Sequence, residues 1–109
     1  GSSFGAVITL YAASQFGVRL DRMAVVSPSV WVNNREPLGW VPRVAKSTRV
    51  WVDIGGSEGE EAVSGARLLG DAFGKAGHRA TFALEPNAEH NEFAWARRFP
   101  SILLFLYGK

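Results

Sequence analysis

Apolar residues recur along this chain in two periods, and the alternation between them sets out its elements. From Ala6 to Phe16 the run is helix-like, with Val7, Leu10 and Tyr11 at helical spacing on a core face and Gly17 suited to the C-cap. Arg19, Asp21 and Arg22 mark a surface turn. Met23 to Ser27 is a short continuous apolar run ended by Pro28, the pattern of a strand buried on both faces. Asn33 to Pro37 is turn-rich, and a short helix is predicted over about Leu38 to Lys46, with Pro42 limiting it.

The second half is more regular. Arg49-Val-Trp-Val-Asp-Ile54 is β-branched and aromatic, the clearest strand, and a glycine-rich loop follows from Gly55 to Gly59. Glu60 to Ala76 is predicted as a helix, with Glu60 and Glu61 favourable in the first turn and Lys75 in the last. Its apolar stripe runs through Val63, Ala66, Leu68, Leu69, Ala72 and Phe73, and Gly77 ends it. Thr81 to Leu84 reads as a strand and Glu85 to Ala88 as a turn. Phe93, Trp95, Ala96, Phe99, Ile102, Leu103 and Leu106 then predict a C-terminal helix, limited or bent at Pro100.

Strands that alternate with helices imply an α/β fold, a mostly parallel sheet flanked by helices. Such a sheet places every strand C-terminus on one edge. Ser3, Trp31, Glu58 and His90 each follow a strand end, read or implied, so four residues distant in sequence should converge on one rim. Trp31 is a candidate pocket residue there, whereas Trp40 reads as core.

Composition narrows the picture. With 109 residues, the chain is one domain at most, and 47% hydrophobic residues suffice for a core. A net charge of +2, scattered along the chain, makes no nucleic-acid surface. The absence of cysteine excludes disulfides, thiol catalysis and thiolate metal sites. No apolar run reaches the ~18 residues of a membrane span, no cofactor or metal is expected, and a cytoplasmic location is favoured.

The chemistry starts at Gly1-Ser-Ser-Phe-Gly5, a G-x-S-x-G followed at once by a helix. A nucleophilic serine needs a tight strand-to-helix turn, and the two glycines are expected to relieve its crowding. Ser3 is therefore the candidate nucleophile, and the N–H of Phe4, at the positive end of the helix, the candidate oxyanion donor. A serine hydroxyl needs a base, and the chain holds two histidines. His78 follows a helix end and is expected at the surface or as a favourable charge near the helix C-terminus. His90 lies between strand and helix on the predicted rim, which suits the base. The carboxylate that orients it is Glu58, in the loop after the central strand, with Asp53 as the alternative.

Four segments, Gly1-Ser-Ser-Phe-Gly5, Val26-Ser-Pro-Ser-Val-Trp31, Trp51-Val-Asp-Ile-Gly-Gly-Ser-Glu58 and Ala88-Glu-His-Asn-Glu-Phe-Ala-Trp95, together resemble the putative-esterase family of α/β-hydrolases. That family includes enterochelin esterases, S-formylglutathione hydrolases, feruloyl and acetyl-xylan esterases and mycolyltransferases. The resemblance covers essentially this whole chain but only the C-terminal half of the family's domain. It implies that residues 1–109 are a single partial α/β-hydrolase domain opening at the nucleophile elbow. It also implies Ser3 as nucleophile, Glu58 as acid and His90 as base, acting on a small-molecule carboxylic ester or thioester. Ala6 stands where the family elbow often carries a further glycine.

The family's earlier strands, and the loop bearing its second oxyanion N–H, lie outside this stretch. The 109-residue piece is therefore expected to have little or no esterase activity and to self-associate through exposed edges and apolar surface, as light scattering would register. The other functions in play are a non-catalytic hydrolase-like module that binds carbohydrate or a partner around Trp31, and an acyltransferase using an acceptor other than water.

Overall fold

The organising element is the strand with the strongest β signal. In the computed structural model, which describes residues 1–16 and 18–108, Arg49–Gly55 forms β2, the centre of a three-stranded parallel sheet of order β1-β2-β3. β1 is Arg22–Val26 and β3 is Arg79–Glu85. Register pairs Arg22 with Arg49 and Arg49 with Arg79, so the three strands begin level and end on a common edge. Ser2 makes a parallel bridge to Val26 on the far side of β1. Gly1 O accepts from Val26 N–H at 3.0 Å, and Ser3 N–H donates to Val26 O at 2.9 Å. The approach to Ser3 therefore runs as a fourth extended segment beside β1.

Alternation along the strands separates two layers. Met23, Val25, Val50, Val52 and Ile54 face the larger core, which they share with Ala6, Leu10 and Ala13 of α1 (Phe4–Gln15) and Ala66, Leu69 and Phe73. The last three belong to α3 (Glu60–Ala76), which packs on β2 and β3. On the opposite face Val26 and Trp51 meet Ile102 and Leu106 of α4 (Glu92–Tyr107). Between β1 and β2 lie the single turn α2 (Val32–Arg35) and a 3-10 helix over Glu36–Arg43. Asn33, Asn34 and Arg35 of that turn have φ values of 47, 57 and 63. Asparagine tolerates this region through local hydrogen bonding, which suits the Asn-Asn pair.

Several expectations change. The buried stripe of α1 is Ala6, Leu10, Ala13, while Tyr11 is exposed and stacks edge-on against the half-buried Trp40. Leu68 of α3 is also exposed. In place of a helix over Leu38–Lys46 the 3-10 segment begins and ends earlier, with Pro37 set at its start. α4 continues through Pro100, whose residue is exposed, so the missing N–H falls where water can reach the freed carbonyl. The C-cap expected at Gly17 lies outside the described residues.

His78 is the clearest correction. It is only 6% exposed, with Nε2 at 2.9 Å from Val44 O and the ring edge-on to Phe73. Instead of lying at the surface, the imidazole ties the end of α3 to the segment before β2. A helix end looks like surface in sequence, and only the packed neighbour buries it.

Candidate functional site

Ser3 stands between the extended segment and α1 with φ 58 and ψ −125, a backbone region costing a non-glycine residue about 1–3 kcal/mol. The ladder bonds to Val26 and the helix that starts at Phe4 hold it there. A Cβ at Gly1 would lie 2.6 Å from Gly5 O, so the first glycine of the motif is required by close approach. The second is not: a Cβ on Gly5 would meet nothing within 4 Å. Only half of the expected steric relief is therefore at work here.

His90 is placed by three devices. The turn before it is tied to the loop after β2, because Ser57 N–H donates to Ala88 O at 2.9 Å and Gly56 N–H to Glu85 O at 2.8 Å. Directly after it Asn91 caps α4, accepting from Ala94 N–H at 3.0 Å. The Trp95 ring, one turn into α4, stands perpendicular to the imidazole at 5.1 Å. The result is a line of hydrogen bonds. His90 Nε2 lies 2.9 Å from Ser3 Oγ, and His90 Nδ1 lies 2.7 Å from Glu58 Oε1. A carboxylate only accepts, so Nδ1–H donates to Glu58, and in the neutral imidazole Nε2 then accepts from the Ser3 hydroxyl.

Glu58 is buried, with its side chain 2% exposed against 45% for His90. Its second oxygen, Oε2, accepts from Gly55 N–H at 2.7 Å and from the Ser27 hydroxyl at 2.6 Å. Gly55 cannot carry a side chain: a Cβ there would sit 2.4 Å from Ala88 O and 2.9 Å from that same carboxylate oxygen.

The other candidate acid, Asp53, is occupied elsewhere. Its side chain points to the α4 face. Oδ2 accepts from Trp51 Nε1 at 2.8 Å and Arg98 Nε at 2.9 Å, and Oδ1 accepts from Ser27 N–H at 2.9 Å and Arg98 Nη2 at 3.3 Å. No oxygen is left for an imidazole. Arg98 extends this cluster to Glu85, which also pairs with Arg97. Partial burial raises the Glu85 pKa, but the hydrogen bonds and charges of Arg97 and Arg98 outweigh it and hold the carboxyl below its usual range.

Phe4 and Trp31 meet edge-to-face at 5.7 Å, and both are about half exposed. They line a pocket of about 260 Å³ with Ser3, Glu58, Ala62 and His90. A larger apolar depression of about 420 Å³ lies between α4 and the Gly1–β1 side, walled by Val26, Trp95, Phe99 and Ile102, and none of Ser3, Glu58 and His90 borders it. Among the described residues, no group of three or more His, Cys, Asp or Glu side chains could hold a metal ion.

Sequence reasoning missed Ser27, Ser29 and Arg98. Ser29 Oγ lies 3.5 Å from Ser3 Oγ, and Ser27 sits at φ 43 just past β1. The strand-end rule that picked out Trp31 applies equally to these serines, but serine after a strand is so common a turn residue that it carries little signal.

No protein-family model matches the chain, and no curated protein matches it. Among solved structures it is similar to the BES protein from Bacillus cereus, with a TM-score of 0.78 and 21% identity over 97% of this chain and 43% of that one. It is also similar to the siderophore hydrolase EstB from Aspergillus nidulans, with a TM-score of 0.63 and 18% identity over 97% of this chain and 47% of that one. The chain thus spans less than half the length of either structure. At such identities the likeness establishes the fold alone: a partial α/β arrangement, a parallel sheet flanked by helices.

Proposed function

We propose that this chain carries the nucleophile, base and acid of a serine ester hydrolase. Ser3 Oγ attacks the carbonyl carbon of a carboxylic ester or thioester while its proton passes to His90 Nε2. Glu58 accepts from Nδ1–H and stabilises the imidazolium that forms. The developing oxyanion lies at the start of α1, where the N–H of Phe4 is among the helix donors without an intrahelical acceptor. Collapse returns the proton from Nε2 to the departing alcohol or thiol and leaves an ester on Ser3. Water, deprotonated by His90, then attacks that ester, and the carboxylic acid leaves with Ser3 restored.

The observation that carries this reading is the unbroken line from Ser3 Oγ through the imidazole to Glu58, at 2.9 and 2.7 Å, with Ser3 itself at φ 58 and ψ −125. The pocket walled by Phe4 and Trp31 supplies apolar surface beside the attacked carbonyl. The test uses the full-length protein and a fluorophosphonate probe. Labelling at Ser3 is expected, together with loss of turnover by at least about 10⁴-fold in Ser3→Ala. Probe that ignores Ser3, in a protein that still folds, would leave the non-catalytic binding module as the better reading.

A further inference from the structure

Ser27 meets three side chains, and their chemistry fixes its proton. Its Oγ lies 2.6 Å from Glu58 Oε2, 2.8 Å from Arg98 Nη2 and 3.1 Å from Trp95 Nε1. Guanidinium and indole N–H groups only donate, so both must be accepted by the two lone pairs of the hydroxyl. The single hydroxyl proton has one remaining partner, the carboxylate of Glu58. The rotor that is free in most serines is therefore set in one direction here.

The backbone is pinned as well. Ser27 N–H donates to Asp53 Oδ1 at 2.9 Å, and the residue holds φ 43, a conformation non-glycine residues seldom adopt. Two donors acting on the oxygen, one of them charged, polarise its O–H and strengthen the bond it makes. That bond and Gly55 N–H both act on Oε2, so the carboxylate presents Oε1 to His90. Trp95 contributes twice, with its indole N–H on Ser27 and its ring against the His90 imidazole.

We infer that Ser27 is a positioning residue, whose hydroxyl, set by Arg98 and Trp95, locks the Glu58 carboxylate in the rotamer that orients His90. This rests on the reading of Ser3, His90 and Glu58 given above. It assigns the buried Asp53–Arg98 pair a second task besides packing, since that pair anchors Ser27 through both its N–H and its Oγ.

The experiment compares Ser27→Ala and Ser27→Gly with Ser3→Ala in the full-length protein. Both Ser27 variants lose the hydroxyl, but glycine also removes the backbone strain at φ 43. The expected result is a fall of about 10–100-fold in kcat for both, by analogy with loss of an outer partner of a metal-ligating side chain. KM should stay within about twofold, because Ser27 acts through Glu58 and His90 on the chemical step. The downfield proton resonance of His90 Nδ1–H should shift or broaden in both variants. A Ser27→Gly protein with wild-type kcat and an unchanged resonance overturns the inference, and so does a loss confined to Ser27→Ala, which would trace to the backbone. A neutron structure of the wild type decides independently of how the variants fold: a Ser27 hydroxyl proton directed away from Glu58 Oε2 also overturns it. Loss of turnover in Ser3→Ala with no loss in either Ser27 variant defeats the role of Ser27 alone, whereas turnover retained by Ser3→Ala defeats the triad reading and this inference with it.

Discussion

Asp53 lies in β2 and Glu58 in the loop that follows it, and their surroundings engage their oxygens in opposite ways. Asp53 is fully buried on the α4 face, and its two oxygens accept four hydrogen bonds, two of them from one guanidinium. Glu58 is nearly as buried, but one oxygen takes the Gly55 and Ser27 donors and the other is left for a half-exposed imidazole. Burial alone does not distinguish these two carboxylates. What separates them is their open valence: every Asp53 oxygen is filled by buried donors, whereas one Glu58 oxygen faces an imidazole. A saturated buried ion pair contributes little net stability, yet removing one member leaves the other charge stranded.

Substitutions at the two carboxylates should therefore fail in different measurements. The largest effect is expected from Glu58→Gln in the full-length protein. The amide can donate to His90 and favour the wrong tautomer, and kcat should fall on the order of 10³–10⁴-fold, with a melting temperature close to wild type. A fall of less than tenfold would erase the distinction drawn between the two residues.

Asp53→Asn should reverse the pattern. It removes the charge that faces Arg98, and breaking a buried pair from one side costs about 3–5 kcal/mol, readable in a denaturant titration. Any loss of activity should follow the folded fraction and whatever disturbance reaches Ser27. If Asp53→Asn keeps full stability but loses activity as Glu58→Gln does, the roles have been assigned to the wrong residues.

The smallest effect is expected at the exposed end of the cluster, in Glu85→Gln. The folded pKa of Glu85 lies below its ordinary value of 4.5. Its ion pairs with Arg97 and Arg98 therefore add stability that is complete above that pH and is lost as pH falls through the folded value. The glutamine variant should be less stable than wild type near neutrality, by under about 1 kcal/mol because the pairs are partly open to solvent. The two should become equally stable in acid. A gap that widens toward low pH would contradict the direction of the shift.

Much of this is legible in the sequence. The apolar runs at Met23–Ser27 and Arg49–Ile54 locate β1 and β2 to within a residue, because strands buried on both faces admit little else. The long helix over Glu60–Ala76 was bounded correctly by its acidic first turn and by Gly77. β3 came out shorter than it is. As an edge strand with half-buried residues along most of its length, its ends carry charges that read as turn. On α1 the expectation holds for Leu10 and fails for Tyr11, since a helix apolar nearly all round offers no single stripe to choose from, and the 3-10 segment starts two residues before the helix expected there. Ser3, Glu58 and His90 are brought together at the strand ends, whereas Ser27 carries little signal along the chain and Arg98 none.

The succession of strands and helices along the chain, and the edge on which the polar loop residues gather, are legible from residue pattern alone. Both follow from hydrophobic period and chain direction, which are local properties. Which carboxylate faces the imidazole, which histidine is buried and which side chains gather around Ser27 emerge only from the packed molecule. Each of those depends on donors and acceptors from distant segments competing for the same few ångströms, and no pattern along the chain records that competition.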